Sequence, residues 1–377
     1  MRSAPRAMYL AGIWSAVAGI TFACSLLTRP PLVPASPLAP NATGLQPVPT
    51  AAAPAPAGTS SRVVVIDSDM ASDDWMAMLY LFHRPEITIK AITISGTGEA
   101  HCEPGVRNAL ALLALAEYPG IPVACGRTTP LQGTHVFPDT WRQAVDSLMG
   151  LSLPEPADLP DASSNAVDVL TAAIQASPQK VSVLTLGPLT NIAEALQKTP
   201  SLARRLEMIY IMGGALDVPG NIASTGVGID NEVAEWNIYI DPHAAGVVFR
   251  SGAPITLVPL DATNDAPVTP AFYERLRASH RMPEAGFVFD LYSANPWLYQ
   301  SGTTYFWDPV TAAILSDGSL AQYEQRSLCV VEEEGPTSGQ IKIASGCPLV
   351  RAALSLDRER FESLFLDILN TQINLQP

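Results

Sequence analysis

The sequence predicts an α/β fold, a single large domain built on an open, mostly parallel, Rossmann-like sheet flanked by helices. Three observations carry that prediction. From Arg62 onward, short β-branched runs alternate with longer amphipathic ones, the pattern of parallel strands covered by helices. The 377 residues are 47% hydrophobic and 15% charged, enough to bury a sizeable core. No stretch of the chain repeats another.

Taken in order, the chain opens on a segment outside this fold. Arg2 and Arg6 precede an uncharged apolar run from Met8 to Leu27, so residues 1–28 read as a signal peptide or a membrane or lipid anchor. Cleavage after export, retention as an anchor and lipid attachment at Cys24 all stay open. The tetrad Thr21-Phe22-Ala23-Cys24 has the small residue of a bacterial lipobox but lacks its usual Leu. The expected location is exported, periplasmic or extracellular, with membrane contact only through this segment. Residues 29–61 are dominated by Pro, Ala, Thr and Ser and read as an extended tether. The folded domain is expected over residues 62–377.

Within that domain, strands are expected at Val63–Asp67, Ile87–Ile94, Val181–Leu186, Met208–Met212 and Ile255–Val258. Helices are expected at Asp73–His83, Gly105–Glu117, Ala166–Ala176, Leu189–Lys198 and Pro242–Arg250. The C-terminal part reads as a helix from Asp308, apolar strands near 328–331 and 349–356, and a closing helix over Arg358–Asn370. In such sheets ligands bind beyond the carboxyl ends of the strands, so the residues after each strand are the ones to read closely.

Composition narrows the function. A formal net charge of -14, with no Lys/Arg cluster to offset it locally, excludes an extended nucleic-acid surface. The cysteines at 24, 102, 125, 329 and 347 are too few and scattered for a disulfide framework or a C-x-x-C zinc site. One bridge is possible, and Cys329 with Cys347, bracketing an acidic Gly-containing stretch that reads as a hairpin, is the best pair.

The first strand runs into D-S-D-M-A-S-D-D, placing Asp67, Asp69, Asp73 and Asp74 within eight residues at a helix start. Capping of the helix N-terminus explains one or two of these carboxylates but not four that repel one another. Ca²⁺ takes six to eight oxygen ligands at flexible angles, so this loop reads as a partial cation cage. An EF-hand does not fit, because Ser72 and Met78 stand where that loop needs Gly and Glu. The D-x-D phosphatase pattern fails at Ala71.

Further landmarks follow in order: R-N-A-L at Arg107–Leu110, I-P-V-A-C-G at Ile121–Gly126, L-G-P-L-T-N at Leu186–Asn191 and M-G-G at Met212–Gly214. Then come G-N at Gly220-Asn221, A-E-W-N-I-Y-I-D-P at Ala234–Pro242 and W-D-P at Trp307–Pro309. With the acidic loop, they make the chain, over about residues 62 to 370, resemble the inosine-uridine preferring nucleoside hydrolases. It departs at Met70-Ala71, where that family often has Pro-Gly.

The resemblance implies Ca²⁺ held by Asp69, Asp74, the main-chain carbonyl of Leu186 and Asp308. It implies a ribose held by Asp73, Asn221, Glu235, Asn237 and Asp308, and Asp69 as the base that deprotonates the attacking water. Such cleavage passes through an oxocarbenium-like ribosyl cation, which a carboxylate-rich pocket stabilises. Read without the family, Glu235 and Asn237 are an exposed strand pair. Asp67 and Glu99 are further candidates for the pocket, and His101 is either a loop residue or a contact to the base. An inserted stretch between Asn221 and Glu235 lets Asn231 compete with Asn221 for the ribose.

The residue before the last calcium Asp is His in broad-specificity members and Trp307 here. An indole cannot protonate a purine, but stacking on a base contributes about 1–3 kcal/mol, and the purine-preferring Trp-Asp subgroup carries this residue. Trp141, Trp236, Trp297 and Tyr299 compete to complete a sandwich. The expected function is calcium-dependent cleavage of ribonucleosides, purines preferred, to free base and ribose. The competing readings are an exported nucleoside or sugar receptor without catalysis, and a hydrolase of another N-ribosyl compound. The oligomeric state stays open, a homo-oligomer included.

Overall fold

A computed structural model describes residues 61–154 and 165–372. The expected leader, Cys24 and all but the last residue of the tether lie outside the described residues. One nine-stranded sheet organises the domain: β1 (Arg62–Ser68), β2 (Ile87–Ile94), β3 (Val123–Cys125), β4 (Val181–Thr185), β5 (Leu206–Met212), β6 (Ile255–Val258), β7 (Ala321–Val330), β8 (Ile341–Ile343) and β9 (Leu349–Leu356). Their order is β3-β2-β1-β4-β5-β6-β9-β7-β8. Pairing is parallel from β3 to β9, and antiparallel where β7 joins β9 and β8 joins β7.

Both faces of the sheet are covered, and β1 shows how. Val64 and Ile66 point into one apolar core, whereas Val63 and Val65 point into the other. The first core takes α1 (Ser72–Phe82), α2 (Cys102–Leu115) and part of α3 (Asp139–Asp146). The second takes α4 (Ala166–Ala176) and α5 (Thr190–Lys198). Next come α6 (Trp236–Ile240), α7 (Pro242–Phe249), α8 (Leu260–Thr263), α9 (Pro270–Ser279), α10 (Pro283–Ala294), α11 (Trp297–Gln300), α12 (Trp307–Ser316) and α13 (Arg358–Leu369). Helix α7 joins the second core, while α9, α10, α12 and α13 pack on the first.

The chain walks outward from β1 to β3, then returns to lay β4 on the other side of β1. That reversal opens a crevice beyond the carboxyl ends of β1 and β4, where an open α/β sheet binds its ligand. The expected strands and the expected helices all form, within a few residues at their ends, except that β7 starts seven residues earlier than the apolar run near 328. Strand β3 was not expected, nor were α3, α6 and the helices between Leu260 and Gln300. Missing β3 also hid a disulfide. Cys329 pairs with Cys347 across the β7–β8 hairpin, and Cys102 pairs with Cys125, stapling the start of α2 to the end of β3. Two bridges therefore replace the one anticipated.

Candidate active site

At the end of β1 the chain turns sharply through Met70, which lies in the left-handed region at φ 62°. A non-glycine residue there is strained and persists only if its surroundings hold it. Ser68 Oγ accepts from Met70 N at 3.0 Å, and Trp75 Nε1 donates to Met70 O at 2.9 Å. The turn aims Asp69 into the crevice and starts α1 so that Asp73 and Asp74 occupy its first turn. Helix α12 packs on α1 and delivers Asp308 from its own first turn. Carboxylate oxygens of Asp73, Asp74 and Asp308 thereby lie within 4.8 Å of one another.

Two glycines let the neighbouring backbones close on Asp69. A Cβ at Gly98 would stand 2.0 Å from the Asp69 Cβ, and one at Gly187 would stand 2.5 Å from it, so neither position admits a side chain. Asp69 Oδ2 accepts from Glu99 N at 3.1 Å, and Asp69 N donates to Asp74 Oδ1 at 3.1 Å. Asp74 Oδ1 also accepts from Ser68 Oγ, whereas Asp74 Oδ2 is buried and receives no hydrogen bond among the described residues.

The opposite wall comes from β4, β5 and α6. Asn237 Nδ2 donates to Leu186 O at 2.9 Å and to Met212 O at 3.3 Å. Glu235 caps α6, accepting from Asn237 N at 2.9 Å and, through Oε2, from Gly214 N at 2.9 Å. The exposed-strand reading of this pair is therefore wrong: Glu235 and Asn237 are buried at a helix start. Asn221 Oδ1 accepts from Trp236 N at 3.1 Å, leaving its amide hydrogens for a ligand.

These residues line one cleft of about 470 Å³, and Asp69, Asp73, Asp74, Glu99, Leu186, Asn221, Glu235, Asn237, Trp307 and Asp308 all face it. Asp67 does not. It lies beneath the floor, accepting from Thr93 Oγ1 at 2.6 Å and Asn191 Nδ2 at 2.8 Å, with burial pushing its pKa to about 7. Asn231 is also structural: its Oδ1 caps Val233 N and Ala234 N, and its Nδ2 donates to Ser338 O. His101 is an exposed loop residue paired with Asp146.

The electrostatics are lopsided. Among the described residues, six carboxyl groups line the cleft, and no Lys or Arg does. Burial raises Asp73, Asp74 and Glu235 to about 7, with Asp69 adding to the rise at Asp73 and Asp73 to that at Asp74. Burial and then the neighbouring carboxylates push Asp69, Asp308 and Glu99 up as well, and the Arg142 guanidinium opposes the rise at Glu99. Without an added positive charge these groups cannot all ionise at neutral pH. Much of the remaining wall is aromatic, with Trp141, Trp236, Trp297 and Trp307 among its residues. Tyr299 faces elsewhere, stacked on Tyr273 at 4.4 Å.

The inosine-uridine preferring nucleoside hydrolase family model matches residues 64–363. The chain belongs to that family. Membership places it among the N-glycosyl hydrolases. The hydrolase is 32% identical over 315 residues to the pyrimidine-specific ribonucleoside hydrolase RihA of Salmonella paratyphi C, a match covering 81% of this chain and 97% of that one. Among solved structures it resembles a plant nucleoside hydrolase at TM-score 0.74 and 29% identity, over 83% of this chain and all of that one. A purine-preferring ribonucleoside hydrolase from Gardnerella vaginalis matches at TM-score 0.71 and 26% identity, over 82% of this chain and 98% of that one.

Sequence reasoning missed the roles of Gly98, Gly187 and Asn191. Gly187 and Asn191 sit in the L-G-P-L-T-N motif and Gly98 precedes Glu99, but a backbone approach or a bond under the floor has no linear signature.

Proposed function

We propose that the hydrolase cleaves ribonucleosides to free base and ribose with Ca²⁺ as cofactor, preferring purines. One observation carries the metal: the hard-oxygen cluster of Asp73, Asp74 and Asp308 lies in a cleft with no Lys or Arg in its lining among the described residues, and Asp74 Oδ2 lacks any donor there. All-carboxylate and carbonyl donors suit Ca²⁺ rather than a softer ion. Asp69, Asp74, the Leu186 carbonyl and Asp308 would hold it; the Leu186 oxygen has one lone pair left after accepting from Asn237. When bound, Ca²⁺ supplies the charge that orients the ribose 2′ and 3′ hydroxyls and makes a nearby water more acidic.

The chain's own residues do the rest. Asp69 takes the proton of the water that attacks C1′. Asp73, Asn221, Glu235 and Asn237 hold the ribose, and the surrounding carboxylates stabilise the positive charge that develops on its ring as the C1′–N bond breaks. The bonding electrons leave with the base, which Trp307 and the facing aromatic residues hold by stacking. A metal-assisted nucleophile gives a non-catalytic receptor no advantage, so the geometry favours the enzyme.

The pyrimidine-specific name of the Salmonella relative makes uridine the competing substrate. The absence of a histidine from the cleft wall, among the described residues, favours purines, whose departure stacking assists more. An exported location is part of this proposal, supported by the two disulfides, which persist in oxidising compartments. None of the described helices is long and apolar enough to cross a membrane. Chromatography of inosine, guanosine and uridine incubated with the protein tests the reading. Inosine and guanosine should yield base and ribose faster than uridine, and equal or faster uridine cleavage would overturn the preference.

A further inference from the structure

The R-N pair of Arg107–Leu110 lies on α2, outside the cleft, and takes no part in the chemistry above. Three of its side-chain hydrogen bonds go to one neighbour. Asn108, buried to 2% exposure, donates from Nδ2 to Val145 O at 3.1 Å and to Asp146 O at 3.3 Å. Arg107 Nη2 donates to the same Asp146 carbonyl at 3.1 Å. These are carbonyls of the last turn of α3, which a helix leaves without internal partners. The Asp146 side chain is gripped as well, accepting from His101 N at 2.8 Å and pairing with His101 Nδ1 at 2.6 Å. A return arm runs the other way: Arg142 on α3 donates to Ala100 O at 3.3 Å and Gly96 O at 3.4 Å, in the loop that carries Glu99.

Helix α3 has eight residues, too few to be stable alone in water. Yet its cleft face, with the residue leading into it, supplies Phe137, Thr140, Trp141, Ala144 and Val145 to the wall. Trp141 packs edge-on against Trp236 with centroids 5.2 Å apart, so its indole plane is set by where the α3 backbone sits. We infer that Asn108 and Arg107 are positioning residues: by capping the C-terminus of α3 they fix the Trp141 side of the cleft and set how well the enzyme handles a stacked base.

This inference rests on the reading that the base lies against the α3 wall, and a double-mutant cycle separates the two. Trp141→Ala, Asn108→Ala and the double variant would be assayed with inosine and with 4-nitrophenyl β-D-ribofuranoside, whose leaving group departs without help. Asn108→Ala is expected to lower kcat/KM for inosine by about 10- to 100-fold, the scale of a remote misplacement. The nitrophenyl riboside should lose less than about a third of that on a logarithmic scale. The double variant should be no worse on inosine than Trp141→Ala alone, because one acts through the other. Additive losses on inosine, or equal losses on both substrates, would overturn the positioning role. An unimpaired Trp141→Ala would instead overturn the base-wall reading. Should Asn108→Ala fail to fold, Arg107→Met removes the second donor to the same carbonyl while keeping the apolar stem, and the same pattern is required of it.

Discussion

Replacing Asp74 by Asn should stabilise the metal-free protein while destroying its response to calcium. Asp74 is fully buried, its Oδ2 meets no donor, and burial with repulsion from Asp73 lifts its pKa from the usual 3.8 to about 7. Keeping that carboxyl charged above pH 7 costs about 4 kcal/mol relative to a solvated one, at 1.36 kcal/mol per tenfold change in acidity. An amide is neutral at every pH and can donate toward Asp73 or Asp308. That figure is already net of the bond Asp74 accepts from Ser68 Oγ, which favours the charged form and holds the pKa down. The net is about 4 kcal/mol in favour of Asn, or about 6 °C in Tm for a domain of this size. Calorimetry at pH 8 reads both halves. In chelator Asp74→Asn should melt above the wild type; in millimolar Ca²⁺ the wild type should rise past it, by mass action on a site the variant lacks. A variant less stable than the wild type in chelator would refute the claim that the cluster is held together against its own charge.

Other predictions follow from the same geometry. Asp69→Ala should fold and lower kcat by 10²–10⁴-fold, the usual worth of a general base, and more than about a tenth of wild-type kcat would remove Asp69 from that role. Trp307→Ala should erase most of the purine preference in kcat/KM; an unchanged inosine-to-uridine ratio would show that Trp307 packs without recognising the base. Metal-free protein should lose stability as pH rises. Asp73, Asp74 and Glu235 titrate near 7 when folded and near 4 when unfolded, so the folded state holds extra protons between those values. The group contribution is therefore intact below pH 4 and lost as pH climbs through 7. A Tm in chelator higher at pH 7.5 than at pH 5.5 would contradict the raised values.

What the sequence disclosed follows from what leaves a linear trace. The acidic loop was legible because Asp67, Asp69, Asp73 and Asp74 crowd one strand-to-helix turn, and the family motifs ordered the distant partners Leu186, Glu235, Asn237 and Asp308. The strand and helix periods placed the sheet. Asp67 stayed a candidate because adjacency along the chain does not say which face of a strand end a side chain takes; it points under the floor to Thr93 and Asn191. Asn221 was favoured for its place after Gly220 while Asn231 stayed in competition, and the folded loop shows Asn231 spending its whole amide on Val233, Ala234 and Ser338. Strand β3 is three residues long, too short to show a period, and the Cys102–Cys125 bridge was invisible with it. Glu235 and Asn237 looked like strand because α6 is one buried turn of Trp, Asn, Ile, Tyr and Ile, whose apolar residues show no helical face.

The most direct test of the central claim is the fate of inosine in the presence of the purified domain, followed by separation of base from nucleoside, in a chelator and after Ca²⁺ is restored. Free hypoxanthine and ribose should appear in equal amounts with Ca²⁺, stop in chelator and resume on repletion. Inosine left intact with Ca²⁺ present, or cleaved at the same rate after exhaustive chelation, would contradict the account.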